Sequence, residues 1–191
     1  MVNENIKIED DFLDQEEFGH IQEMMMGETF PWYFKCGYYA KVPSTLLDKI
    51  ELDQFQFTHA FYEKRTSQDY FLPSWSDGME QLEGLIIKLQ AVLLVRTRGN
   101  LLTRLPIIVE NAFHSDMEEL PEEKLKQLTT SIFYINTNNG YTIFEDGTKV
   151  ESVANRMLSF PANLKHTGTN CTDENTRVII NFNYFKSKQL F

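Results

Sequence analysis

Arg177-Val178-Ile179-Ile180-Asn181-Phe182-Asn183-Tyr184 is the stretch on which the fold turns. In an extended chain successive side chains point to opposite faces, so Val178, Ile180, Phe182 and Tyr184 form one apolar face and Arg177, Ile179, Asn181 and Asn183 the other. The apolar face belongs against a core. One arginine and two asparagines on the opposite face are out of place unless that face lines a polar cavity, where a guanidinium can take a carboxylate through two parallel hydrogen bonds. The competing reading of Arg177 is an edge-strand arginine paired with a nearby acid such as Glu174.

Working outward, aromatic and β-branched segments recur at Trp32–Ala40, Phe55–Tyr62, Ala91–Arg98, Thr129–Asn136, Tyr141–Phe144, Lys149–Val153, Arg156–Phe160 and Arg177–Phe185. Each has the composition of a short strand. Asp146-Gly147 between two of them signals a two-residue hairpin. Helices are predicted early: one from about Asp14 to Met26, with Asp14 and Glu17 at its start and Phe18, Ile21 and Met25 on one face, closed by Gly27. Another is predicted from Asp77 to about Gln90, with Asp77 and Glu80 as a capping pair and Met79, Leu82, Ile86 and Leu89 at helical spacing. Helices first and short strands later make an α+β chain whose C-terminal half is a mostly antiparallel sandwich or barrel.

The chain has four histidines, His20, His59, His114 and His166. In His114-Ser115-Asp116, extended backbone puts positions i and i+2 on the same side, so three residues present an imidazole and a carboxylate together. A third ligand must come from a distant strand. His166 follows Leu158-Ser159-Phe160-Pro161, where a strand gives way to a loop. Two imidazoles and a carboxylate on one face of a metal, with the opposite positions open, is the ligand set of non-haem Fe(II) oxygenases. The bland alternative places His114, Asp116 and His166 in solvated loops. His59 shares its spacing with Phe55, Phe57 and Phe61, which predicts a hydrogen-bonded core histidine, and His20 is expected to be exposed on the first helix. Met24-Met25-Met26 is read as helix packing, because thioethers suit copper(I) only among other soft ligands. The acidic run Glu118-Glu119 with Glu122-Glu123 reads as a solvated surface or a mobile lid.

At 191 residues the length fits one domain, 1–191, and 42% hydrophobic with 13% aromatic residues is enough for a single core. The net charge of −10 argues against capture of nucleic-acid backbones or anionic membranes. A local basic groove can coexist with that total, since Arg96, Arg98 and Arg104 lie close together. Two cysteines, Cys36 and Cys171, do not make a disulfide framework. No signal peptide is read in Met1–Asp14 and no apolar run approaches the ~20 residues of a bilayer span, so a cytoplasmic protein is expected. Oligomeric state is not legible.

Taken together, His114-Ser115-Asp116, Ser131-Ile132-Phe133-Tyr134-Ile135-Asn136, Asn139-Gly140-Tyr141-Thr142-Ile143-Phe144, Asn155-Arg156-Met157-Leu158-Ser159-Phe160-Pro161, His166 and Arg177 resemble the 2-oxoglutarate and Fe(II)-dependent dioxygenases. The likeness is to the prolyl-4-hydroxylase-like branch and its small phage-encoded members, and it covers roughly residues 91–185. The resemblance implies a double-stranded β-helix (jelly-roll, cupin-like) core with flanking N-terminal helices. It implies that His114, Asp116 and His166 bind Fe(II) and form the catalytic centre. Arg177 and Tyr134 would hold the distal carboxylate of the co-substrate 2-oxoglutarate, with Ile132 and Thr130 walling the pocket and Asn100, or Arg98 in its place, giving a further contact. Many family members carry Ser or Thr two residues after the basic residue. Here Ile179 stands there, so Tyr134 would have to make good the missing hydroxyl.

The implied activity couples oxidative decarboxylation of 2-oxoglutarate by dioxygen to hydroxylation of a C–H bond, with ascorbate as an accessory reductant. A peptide or protein substrate is expected, prolyl by resemblance, and it would enter past the loops around Lys35–Val42 and Arg65–Trp75. The alternatives are a free amino acid or small metabolite, or a non-catalytic cupin-like binding module.

Overall fold

Val178, Ile180, Phe182 and Tyr184 are buried in one apolar cluster and Ile179 in another, so the strand that carries them is packed on both faces. In the computed structural model, which describes residues 4–36, 55–64, 73–118 and 120–186, that strand is β11 (Thr176–Lys186). It lies at the centre of an antiparallel sheet formed with β1 (Lys7–Glu9), β2 (Tyr33–Cys36), β3 (Phe55–Lys64), β5 (Ala91–Thr103), β6 (Thr129–Tyr134) and β9 (Met157–Pro161). The order is β1-β9-β6-β11-β5-β3-β2, with β4 (Pro73–Trp75) beside β3. A smaller sheet, β10 (His166–Gly168), β7 (Tyr141–Phe144) and β8 (Lys149–Glu151), faces it. Isolated bridges Glu110↔Thr169 and His114↔His166 lay residues 110–114 along β10 and extend the smaller sheet. Two facing antiparallel sheets of this kind form the expected double-stranded β-helix.

Between the sheets, Ile132, Tyr134, Leu158, Phe160 and Ile179 meet Phe144 and Val150. Outside the large sheet, Phe133, Met157, Val178, Ile180 and Phe182 meet the helical layer. Each such side chain contributes about 1.5–3 kcal/mol when fully removed from water. Helix α1 (Gln15–Met26) starts where predicted, with Asp14 Oδ1 accepting from Glu17 N at 2.9 Å and Phe18, Ile21 and Met25 buried at helical spacing. The second helix is shorter than its pattern. A turn from Ser76 O to Met79 N precedes a 3-10 turn, Glu80–Leu82, and only Glu83–Lys88 (α2) is α-helical, so Asp77 caps nothing there.

Strand β5 runs five residues beyond the predicted Arg98, to Thr103. Gly99 and Asn100 look like a strand end, yet both sit inside the ladder, paired to Ile180 and Ile179 on one side and to His59 and Thr58 on the other. A hairpin forms at Asp146-Gly147, with Gly147 at φ +86°, but its connection spans residues 145–148 rather than the two residues expected. A short helix, α3 (Glu122–Leu125), carries the second half of the acidic run, and Glu122 and Glu123 pair with Lys126. The predicted entrance segments beyond Cys36 and in 65–72 lie outside the described residues. Among the described residues no helix is long and apolar enough to cross a membrane.

Candidate metal centre

His114 and His166 face each other across a two-hydrogen-bond bridge, His114 N to His166 O at 3.0 Å and His166 N to His114 O at 2.9 Å. Directly paired residues put their side chains on the same face, and the two ring centroids are 5.1 Å apart. Nδ1 of His114 lies 3.2 Å from Ala112 O and Nδ1 of His166 lies 3.1 Å from Leu164 O. A carbonyl only accepts, so both Nδ1 atoms carry the proton and both Nε2 lone pairs are left for a cation.

Two residues past His114, Asp116 completes the cluster. Met117 follows it at φ +60°, a left-handed conformation costing a non-glycine residue about 1–2 kcal/mol, and this turns the chain away directly after the carboxylate. One donor atom from each of His114, Asp116 and His166 lies within 4.8 Å of the others. Asp116 Oδ1 accepts from Arg96 Nη2 at 2.9 Å, and Oδ2 accepts from Asn183 Nδ2 at 3.0 Å and Thr130 Oγ1 at 3.3 Å. Three bonds to a carboxylate that offers about four lone-pair sites leave room for a metal. Burial pushes the carboxyl up, but Arg96, His166, Asn183 and His114 more than offset it and hold Asp116 at about 2. Burial lowers His166, against the opposing pull of Asp116. Neutral imidazole beside ionised carboxylate is the protonation state metal binding needs. The donor set fits Fe(II).

Arg177, 1% exposed, is held between the sheets. Its Nε donates to Ser152 Oγ at 2.7 Å and its Nη2 to Thr142 Oγ1 at 3.2 Å, and its guanidinium carbon stands 5.6 Å from the Tyr134 ring centroid. Tyr134 donates its hydroxyl to the same Thr142 oxygen at 2.8 Å. Burial raises the phenol, opposed by the Arg177 charge, so Tyr134 stays a protonated donor. Asn136 fixes the backbone on both sides of Arg177, accepting from Val178 N at 2.9 Å and donating to Thr176 O at 2.7 Å. Two glycines make the room: a Cβ at Gly140 would lie 2.7 Å from Arg177 Cδ, and one at Gly168 would lie 3.2 Å from Nη1.

The structure thus brings His114, Asp116 and His166 together and gathers Tyr134 with Arg177. Asn100 stands opposite Ile179, on the same sheet face as Tyr134 but two strands away. Arg98 donates to Glu63 Oε1 at 2.6 Å. Thr130 binds Asp116 rather than only walling a pocket. The residues missed from sequence are Arg96 and Asn183 at Asp116, and Thr142 and Ser152 at Arg177. For Asn183 the signal was present in the polar alternation of 177–183. His59 is a core histidine as expected, 5% exposed, with Nδ1 on Pro31 O at 2.9 Å and Nε2 against Ser76 Oγ at 2.8 Å.

No protein-family model and no curated protein matches the sequence. Among solved structures it is similar to an oxidoreductase of the 2OG-Fe(II) oxygenase family from Burkholderia pseudomallei, with 7% identity, TM-score 0.64 and coverage of 94% of this chain and 85% of that one. A prolyl hydroxylase from Trichoplax adhaerens, solved with a peptide fragment of hypoxia inducible factor, matches with 13% identity, TM-score 0.57 and coverage of 97% and 85%. The non-haem alpha-ketoglutarate-dependent epimerase SnoN from nogalamycin biosynthesis matches with 12% identity, TM-score 0.60 and coverage of 96% and 79%. The chain has the fold of the 2-oxoglutarate/Fe(II) oxygenases.

Proposed function

We propose that the protein is an Fe(II)- and 2-oxoglutarate-dependent dioxygenase that hydroxylates a C–H bond of a peptide or protein substrate. The observation that carries this is the convergence of two Nε2 lone pairs and one ionised carboxylate, in a fold whose buried arginine lies on a strand next to the one bearing Tyr134. When bound, Fe(II) supplies the redox chemistry by which one oxygen atom of O2 enters the substrate and the other enters succinate as 2-oxoglutarate loses CO2.

His114, Asp116 and His166 would hold the metal through two imidazoles and a carboxylate. Asn183, Thr130 and Arg96 fix the carboxylate so that it meets the metal without rearranging. Arg177 takes the distal carboxylate of 2-oxoglutarate with a charge that is always present, and Tyr134 adds a hydroxyl donor. Thr142 receives the single hydroxyl proton of Tyr134 and an N–H of Arg177 before the co-substrate enters, which holds the two in register, and Tyr134 turns that proton to the carboxylate on binding. Phe144 and Phe160, whose ring centroids lie 6.0 and 4.7 Å from that of His166, exclude water from one wall. Asn100 supplies the remaining co-substrate contact, Arg98 being held by Glu63, and ascorbate serves as accessory reductant.

A prolyl residue is the substrate the Trichoplax likeness favours. The similarity to SnoN favours a second reading, a small metabolite. Iron-loaded protein given 2-oxoglutarate and air is expected to form succinate slowly without substrate, and faster with a peptide that gains one oxygen by mass. A protein that binds metal yet never consumes 2-oxoglutarate is a cupin-like binding module instead.

A further inference from the structure

On a chain of net charge −10, three cations share the site face of the large sheet. Arg96 and Arg98 alternate on β5 opposite Asn183 and Asn181, and Lys35 on β2 pairs with Gln56, two residues before Thr58, which faces Asn100. Their carboxylate partners are few. Arg96 is spent on Asp116, with its Nε on Asn183 Oδ1 at 3.0 Å, and Arg98 meets Glu63. When Asp116 shares its charge with a metal, Glu63 is left as the counter-charge among these groups. Lys35, on the solvent-facing outer strand, registers the crowding of positive charge: partial burial lowers its proton affinity first, repulsion from Arg98 and then Arg96 lowers it further, and Glu63 pulls it back up. Arg98 is 20% exposed at its side chain and so reachable from solvent. Beside it on β11, the buried Oδ1 of Asn181 has no hydrogen-bond donor among the described residues. A desolvated amide oxygen without a donor is costly, and rotation of the half-buried Asn181 side chain brings it within reach of a donor on a ligand.

We infer that the substrate is an anion, bound through a carboxylate or phosphate at Arg98 and Lys35 and offering an adjacent N–H or O–H to Asn181 Oδ1. This rests on the oxygenase reading, since it places the anion beside the metal, on the β5 side away from Tyr134. Attraction of an anion toward a locally cationic site also suits a protein whose remaining surface repels anions.

The test uses protein loaded with Zn(II) and 2-oxoglutarate, so that binding is read without turnover. N-acetyl amino acids, their neutral carboxamides, and N-acetyl-O-phosphoserine amide are titrated by ligand-observed NMR. At least one acid should bind about ten-fold or more tightly than its own amide, roughly a pair's worth of charge-assisted hydrogen bonding. Preference for the phosphorylated amide over the carboxylates identifies phosphate as the anion; the reverse identifies carboxylate. Arg98→Gln should erase the preference while 2-oxoglutarate affinity stays within about two-fold. Lys35→Gln, at an exposed position on the outer strand, should shrink it about three-fold and stands in should Arg98→Gln unfold. Equal binding of acids and amides, or a preference that survives both substitutions, overturns the inference. Failure to bind Zn(II) or 2-oxoglutarate at all would instead count against the oxygenase reading, and the acid–amide comparison on metal-free protein would still decide the anion site.

Discussion

Asn183 donates from Nδ2 to Asp116 Oδ2 at 3.0 Å across 67 residues of sequence. The odd amide of the last strand is thus what orients the candidate metal carboxylate. Asn183→Ala removes that bond and leaves Thr130 and Arg96 to hold Asp116. Metal affinity should fall about 10–100-fold, as for other outer partners of metal ligands, measured by competition with a chromogenic chelator. Unchanged affinity would mean that Asn183 only fills space.

Thr142 accepts from both Tyr134 and Arg177. Thr142→Val keeps the shape and leaves both donors short of a partner. With Arg177 and Tyr134 no longer held in register, the affinity of zinc-loaded protein for 2-oxoglutarate should drop about ten-fold, roughly the worth of one misaligned charge-assisted hydrogen bond, while zinc affinity holds. Calorimetric titration separates the two, and a parallel loss of both would remove Arg177 from its assigned role.

Gly140 lacks a side chain because a Cβ there would lie 2.6 Å from Asn170 O and 2.7 Å from Arg177 Cδ. Backbone at that distance cannot step aside cheaply. Gly140→Ala should destabilise the fold by about 1–3 kcal/mol, the usual penalty of overpacking, and weaken 2-oxoglutarate binding as Arg177 shifts. A wild-type urea midpoint would show that the loop accommodates the methyl group.

Acid sensitivity has a definite sign at His166. Burial lowers its proton affinity below the ordinary 6.5, so the unfolded chain binds the proton more readily than the folded one. Its contribution is present above the unfolded pKa and is lost as pH falls through the window beneath 6.5. Urea midpoints of metal-free protein should therefore decline from neutral pH toward mildly acidic pH more steeply in the wild type than in His166→Gln. Equal slopes would show that His166 charges freely in the folded state.

Legibility followed burial. The alternation of β11 was readable because both its faces are buried, and Asp14 and Glu17 marked the start of α1 because a cap is a local hydrogen bond. Arg96 was not readable as an inward residue, since an arginine on a strand ordinarily marks a solvated face; Arg98 was placed inward only by the family likeness, and Gly99-Asn100 concealed the continuation of β5. Thr142 and Ser152 carry no sequence signal of their own: a hydroxyl's value depends on Arg177, which lies 35 and 25 residues away and meets them only through the packing of the two sheets. The His114–His166 contact was inferred from chemistry, and the bridge that creates it is visible only in three dimensions.

The most direct measurement is an anaerobic titration of Fe(II) and 2-oxoglutarate into the protein, followed in the visible spectrum. A weak charge-transfer band that saturates at one iron per chain and is absent in His166→Ala is the predicted result. No band in the wild type, or a band of equal strength in the variant, would contradict a metal centre built from His114, Asp116 and His166.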